Sequence, residues 1–183
     1  AMLCAMAVPA LAADEATGAA ATTNNGKITI DNVVTGHTYK LYRILNLEHH
    51  AATSAYRYTT NQKWEDFVVN DDGASYLTKD NNTGAVTWSK NKSSEDNGTD
   101  IQAFANAAGR YAKTHNIAAD YTDKAESDTN NKDTVDKSTK LTFSNLPLGW
   151  YLVVSDLNDG AICSIDTTDP TVVIKEKNGD SII

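Results

Sequence analysis

A proline and a glycine two positions apart, Pro147 and Gly149, separate two runs of strand-forming residues, Leu141-Thr-Phe-Ser-Asn-Leu146 and Trp150-Tyr-Leu-Val-Val154. Proline has no backbone N–H and glycine favours turns, so the pair marks a Pro/Gly turn between an apolar strand and an aromatic one. A closing strand follows in Pro170-Thr-Val-Val-Ile-Lys-Glu-Lys-Asn178, and it carries two lysines, Lys175 and Lys177, to the point where the pattern stops.

The same β signal runs through the early chain. Lys27-Ile-Thr-Ile-Asp31 alternates apolar and polar residues, and Thr38-Tyr-Lys-Leu-Tyr-Arg-Ile-Leu45 is rich in strand formers after the turn at Thr35-Gly36. Together they are expected to pair and open a β-sandwich. Tyr56-Arg-Tyr-Thr59 and Ala85-Val-Thr-Trp88 are shorter strand candidates, with Trp64-Glu-Asp-Phe-Val-Val69 as a short helix between them. The clearest helix starts at Thr99, where Thr99-Asp-Ile-Gln102 fits a capping box. It carries Ile101, Phe104, Ala105, Ala108, Tyr111 and Ala112 on one face and ends near His115-Asn116. Between Asp120 and Lys140 the chain is polar, with acids and lysines interleaved, and reads as a long surface loop or disordered insertion.

The N-terminal end speaks to compartment. The apolar run from Met2 to Leu11 is too short to span a bilayer, and Ala10-Leu-Ala12 after Pro9 has the small-x-small form of a signal-peptidase site, with cleavage expected after Ala12 or Ala13. Residues 1–13 are therefore read as a partial signal peptide, 14–26 as a flexible polar segment, 27–178 as one domain and 179–183 as the start of a linker to a missing downstream domain. The chain is expected to be the N-terminal part of a longer, exported protein. Removal of Cys4 with the signal leaves Cys163 alone, so no disulfide framework supports the fold. Cys163 sits in a strand-like run and reads as a small buried hydrophobe.

A net charge of −8 without a clustered basic face argues against nucleic acid as a partner. His37, His49, His50 and His115 share no zinc spacing, and neither a nucleophile elbow nor a glycine-rich phosphate loop occurs. Asp156-Leu-Asn-Asp-Gly160 lacks the acid that a calcium loop needs at its twelfth position and reads as a turn. The pair His49-His50 reads as solvated loop, and sequons at Asn81, Asn91 and Asn97 read as exposed segments. No catalytic residue, metal site or cofactor is indicated, and the chain is not expected to be an enzyme.

The order of segments, with Gly36-His-Thr-Tyr-Lys-Leu-Tyr42, the helix at Thr99, Leu146-Pro-Leu-Gly-Trp-Tyr-Leu-Val153 and Val172-Val-Ile-Lys-Glu-Lys-Asn178, resembles the N-terminal domain of Gram-positive major pilins. These are sortase-polymerised fimbrial backbone subunits built from CnaB-like, immunoglobulin-type domains. The resemblance implies a mainly β, immunoglobulin-like (CnaB-type) sandwich with one or two inserted helices, located on a pilus fibre attached to the cell wall. It implies as partners a class C pilin sortase, neighbouring copies of the same subunit and host surface ligands. The family often closes this domain with Val-x-Val-Tyr-Pro-Lys-Asn and uses that lysine as the acceptor of the next subunit's C-terminus. Lys177 occupies that position, while Lys175 and Glu176 stand where the family has Tyr and Pro, which leaves Lys175 as an alternative. Period-two alternation puts both lysines on the side of Val173, opposite Val172 and Ile174, and does not choose between them. Family domains often hold an internal Lys-Asn or Lys-Asp isopeptide bond. Lys27 and Lys40 lie on early strands, but the closing strand offers no Asn or Asp partner and Asn178 lies beyond it, so none is expected here. The alternative role is a CnaB-type stalk or ligand-binding module of a wall-anchored adhesin or minor pilin.

Overall fold

The computed structural model describes residues 20–95, 98–125, 140–157 and 160–175. In chain order the strands are β1 (Ala20–Thr22), β2 (Gly26–Asp31), β3 (Thr38–His50), β4 (Ala55–Thr60), β5 (Leu77–Lys79), β6 (Val86–Trp88), β7 (Tyr121–Lys124), β8 (Leu141–Leu146), β9 (Gly149–Ser155), β10 (Ala161–Ile165) and β11 (Thr171–Lys175). Two α-helices, α1 (Glu65–Asn70) and α2 (Thr99–Thr114), lie between β4 and β7, and the protein is mainly β.

The 13-residue β3 organises the larger sheet. Its first half is flanked by β7 and β9 and its second half by β4 and β1, with β10 beyond β9, all antiparallel. A smaller sheet has the order β11-β2-β8, in which β11 runs parallel to β2 and β8 antiparallel to it. Strands β5 and β6 form a separate two-stranded ribbon.

The expected pairing of 27–31 with 38–45 is not found, because β2 belongs to the smaller sheet and β3 to the larger. Alternation fixes which face of a strand is buried and leaves its neighbour open. The chain passes from one sheet to the other through Asn32 and Gly36, whose φ angles of 58° and 89° suit residues that tolerate the left-handed region. Ile28 and Ile30 of β2 then join Tyr39 and Leu41 of β3, Phe143 of β8, Tyr151 and Val153 of β9, and Ile174 of β11 in one buried core shared by both sheets.

The Pro/Gly turn makes a second passage between sheets, since β8 lies in the smaller and β9 in the larger. Leu148 is buried at this corner, and the Tyr151 hydroxyl donates to the Pro147 carbonyl at 2.6 Å. Burial pushes the Tyr151 phenol well above its ordinary value, so it stays a donor across the physiological range. Tyr151→Phe removes this bond while keeping the ring, and is expected to cost about 1 kcal/mol. Calorimetry should record a melting temperature lower by about 2–4 °C.

A second core lies on the other face of the larger sheet. Tyr42, Ile44 and Leu152 meet Trp64, Phe67 and Val68 around α1 and Phe104, Ala108 and Tyr111 of α2. Ring centroids stand 5.5 Å apart for Trp64–Phe67 and 5.7 Å for Phe67–Phe104, the separation at which aromatic pairs add to area burial. Strand β9 is continuously apolar because it is buried on both sides, Tyr151 and Val153 in the shared core and Leu152 in the helical one.

Several local expectations are corrected. Helix α2 takes Gly98 as its N-cap, in extended backbone and with no side-chain cap; Thr99 is its first helical residue and the Gln102 N–H donates to the Gly98 carbonyl. Asp100 instead accepts from the Ser93 N–H at 2.7 Å, fixing the incoming chain. Ile101 is half-buried and Ala107 is buried, which rotates the apolar stripe slightly from its expected centre. Strand β3 continues beyond Leu45 through the His49-His50 pair, which is strand and not loop, with His49 packed on Tyr56 at 4.7 Å. The polar stretch after Asp120 contributes β7, paired with β3 from Thr38 to Leu41, and only residues 126–139 of it lie outside the described residues. Part of the segment expected to be flexible contributes β1, and Gly26 opens β2.

Candidate functional site

The segment expected to carry the acceptor lysine includes β11, an edge strand of the smaller sheet. Its residues pair in parallel register with β2, Val173 opposite Thr29 and Lys175 opposite Asp31. Ile174 is buried and Val172 packs against the shared core, while Val173 faces outward at 59% exposure. This is the alternation expected of a strand with one buried face. Lys175 is the last residue of β11, and Lys177 lies outside the described residues.

The β2 end of this pairing is electrostatically fixed. Asp31, paired in register with Lys175 of β11, stands 3.7 Å from the Lys140 ammonium. The Lys27 backbone N–H donates to the Pro170 carbonyl at 2.8 Å, which anchors the start of the strand before its parallel run begins. The edge strand is thereby tied at its first residue and along its length.

Amide formation between a lysine and an acid side chain needs a neutral amine facing an uncharged carboxyl. Lys27 is exposed on β2 and Lys40 is exposed on β3. The closest described pairings of lysine with an acid are ionic. Lys63 donates to Asp120 at 2.8 Å, and Lys79 contacts Glu65 directly. Hydrogen bonds from Lys79 and then Thr60 hold the Glu65 carboxyl below its ordinary range, so it remains an anion and a poor acyl donor. The intact mass of the folded chain is therefore expected to equal the mass of its sequence. A deficit of one water or one ammonia would place a covalent crosslink within the domain.

Cys163 lies in β10 and is buried, and burial pushes its thiol up to about 12. It packs beside Ile165 and Tyr151 in the shared core as a small apolar group. Asp156 to Gly160 connects β9 to the antiparallel β10. Asp156 Oδ1 lies 2.9 Å from His37 Nδ1 and accepts from it when that nitrogen carries the proton, tying this connection to the start of β3. Asn81 and Asn91 are exposed, and Asn97 lies outside the described residues. Among the described residues no cluster of histidine, cysteine and acid side chains is arranged to hold a metal ion, and no helix is long and apolar enough to cross a membrane.

The structure also forms a cleft that the linear pattern did not reveal. Its main part, about 380 Å³, lies between Gly109, Ala112 and Lys113 of α2, Thr38, Lys40 and Tyr42 of β3, and the end of β9. An adjoining part of about 330 Å³ shares Gly109, Lys113 and Val154 and adds Asn106, Arg110 and Gly160. Gly109 and Ala112, small residues of α2, border this space. No protein-family model matches this chain, and a search of curated proteins finds no match.

Proposed function

We propose that this chain is the N-terminal, immunoglobulin-like domain of a shaft subunit in a covalently polymerised surface pilus. The observation that carries the reading is the closing strand: the segment resembling the pilin acceptor motif begins as an edge strand with an outward-facing Val173 and reaches its last paired residue at Lys175. Two sheets around a shared core, with a buried corner at Pro147-Leu148, support an immunoglobulin-like sandwich, and α1 and α2 form the inserted layer.

In this role the domain is a substrate and building block and not an enzyme. A class C sortase holds the C-terminal end of one subunit as a thioester, and the ε-amine of Lys177, or of Lys175, attacks that carbonyl as a free base. The new amide forms as the sortase thiolate leaves and the amine loses its proton. An ordinary lysine is almost wholly protonated at neutral pH, so the acceptor has to sit where the sortase pocket can take that proton. An edge strand at a domain boundary meets the need for access. The protein would be exported and end in a fibre on the Gram-positive wall, with copies of itself as covalent neighbours.

Proteolysis of sheared surface polymers followed by mass spectrometry tests this. A branched peptide joining Lys177 or Lys175 to a neighbouring subunit's C-terminal residue is expected, and a polymer branched only at other lysines would overturn the assignment. The cleft beneath α2 favours a second reading, a ligand-binding module of a wall-anchored adhesin or minor pilin on the same fold.

A further inference from the structure

The cleft between α2 and the larger sheet has three properties that bulk packing does not require. First, it gathers cations in an acidic protein. Lys40, Lys113 and Arg110 line it against a single carboxylate, Asp156, although the chain as a whole carries −8. Among the described residues Lys40 and Lys113 make no ion pair, whereas Arg110 stands 3.8 Å from Asp72. Second, its floor is apolar, formed by Tyr42, Ala112 and Val154. Third, a glycine inside a helix borders its open space. A Cβ added at Gly109 would meet nothing within 4 Å, yet glycine in a helix interior costs about 1 kcal/mol relative to alanine.

We propose that this cleft binds the terminal acidic sugar of a glycan. Unpaired ammonium groups at Lys40 and Lys113 supply the charge for a sugar carboxylate, and the apolar floor suits the face of the ring. Asp156 selects among anions. Held by His37, it presents an acceptor for sugar hydroxyls, while it repels a sulfate, which offers no donor in return. The main part of the cleft falls within the usual size of small-molecule sites and holds one ring, with the adjoining part along α2 open to the next residue. The site does not depend on the polymer role, and no residue of β11 lines it.

The test is titration of the folded chain, followed by amide chemical shifts, with methyl glucuronide and the methyl glycoside of N-acetylneuraminic acid. Methyl glucoside serves as the neutral control and inorganic sulfate as the anion without hydroxyl donors to match. Saturable binding of at least one sugar acid is expected, with shifts centred on Lys40, Gly109 and Lys113, and the neutral sugar and sulfate weaker by about 10-fold or more. Lys113→Gln should weaken binding by about 10-fold, and Gly109→Leu, which fills the open space while improving helix propensity, should abolish it with the melting temperature retained. Should Gly109→Leu fail to fold, Lys40→Gln with Lys113→Gln provides the same comparison on surface positions. No binding of either sugar acid, equal binding of the neutral sugar, preference for sulfate, or binding of free glucuronate alone without its methyl glycoside would each overturn the proposal.

Discussion

Gly149→Ala is expected to destabilise the domain by about 4 kcal/mol or more, at the upper end of what a single methyl group can do. Gly149 has a φ of +155°, and a Cβ there would lie 2.0 Å from the Leu45 carbonyl oxygen and 3.2 Å from Arg43 Nε. Neither neighbour can easily withdraw. Leu45 is paired with Thr60 of β4, and Arg43 is tied through its guanidinium to the Leu148 carbonyl and through its backbone N–H to Asp120. The substitution therefore attacks the place where the chain leaves the smaller sheet and enters the larger. Gly36→Ala is the control, since Gly36 also has a positive φ of +89° but nothing within 4 Å of the added Cβ, and its cost should stay near 1–2 kcal/mol. Urea denaturation of the two variants checks this. A Gly149→Ala midpoint close to that of Gly36→Ala would show that the corner is less rigid than its contacts imply.

Much of the fold was visible in local patterns. The alternation in 27–31 and 38–45 marks the buried positions Ile28, Ile30, Tyr39 and Leu41, and the stripe Phe104, Ala105, Ala108, Tyr111 and Ala112 marks the packed face of α2. Such patterns report burial and are silent on partners. Ile28 and Tyr39 look like members of one hairpin because both alternate, yet they reach the same core from opposite sheets. Strand β7 was hidden because Tyr121-Thr-Asp-Lys124 pairs along an edge with most side chains in water and so shows no apolar periodicity. Gly98, the N-cap of α2, carries no sequence signal beside Thr99, since a glycine cap leaves no side-chain signature.

The proposed acceptor rests on resemblance alone, because a lysine on a terminal strand looks the same whether it is a nucleophile or a solvated charge. The α2 cleft was illegible for a different reason. Lys40 and Lys113 lie far apart in sequence and meet only once the helix packs across β3 and β9, while Gly109 reads in isolation as a weak point in a helix. Space is not encoded by any single residue, so a cavity has to be seen in three dimensions.

The larger expected effect on function follows from replacing Lys175 and Lys177 together by arginine. Arginine keeps the charge and the strand propensity, but its guanidinium does not deprotonate under physiological conditions and cannot serve as the attacking amine. In the proposed role each new link in the fibre needs one such amine, so the expected effect on polymer length is all or none, while arginine keeps the charge at both positions. Single substitutions decide between the two candidates: loss with Lys177→Arg alone assigns the resemblance-based site, and loss with Lys175→Arg alone assigns the residue that closes β11. The most direct measurement is a denaturing gel of surface extracts from cells that make the full-length subunit with both lysines replaced. The account predicts that the high-molecular-weight ladder collapses to a single monomer band, and a ladder unchanged from that of the parent protein would contradict it.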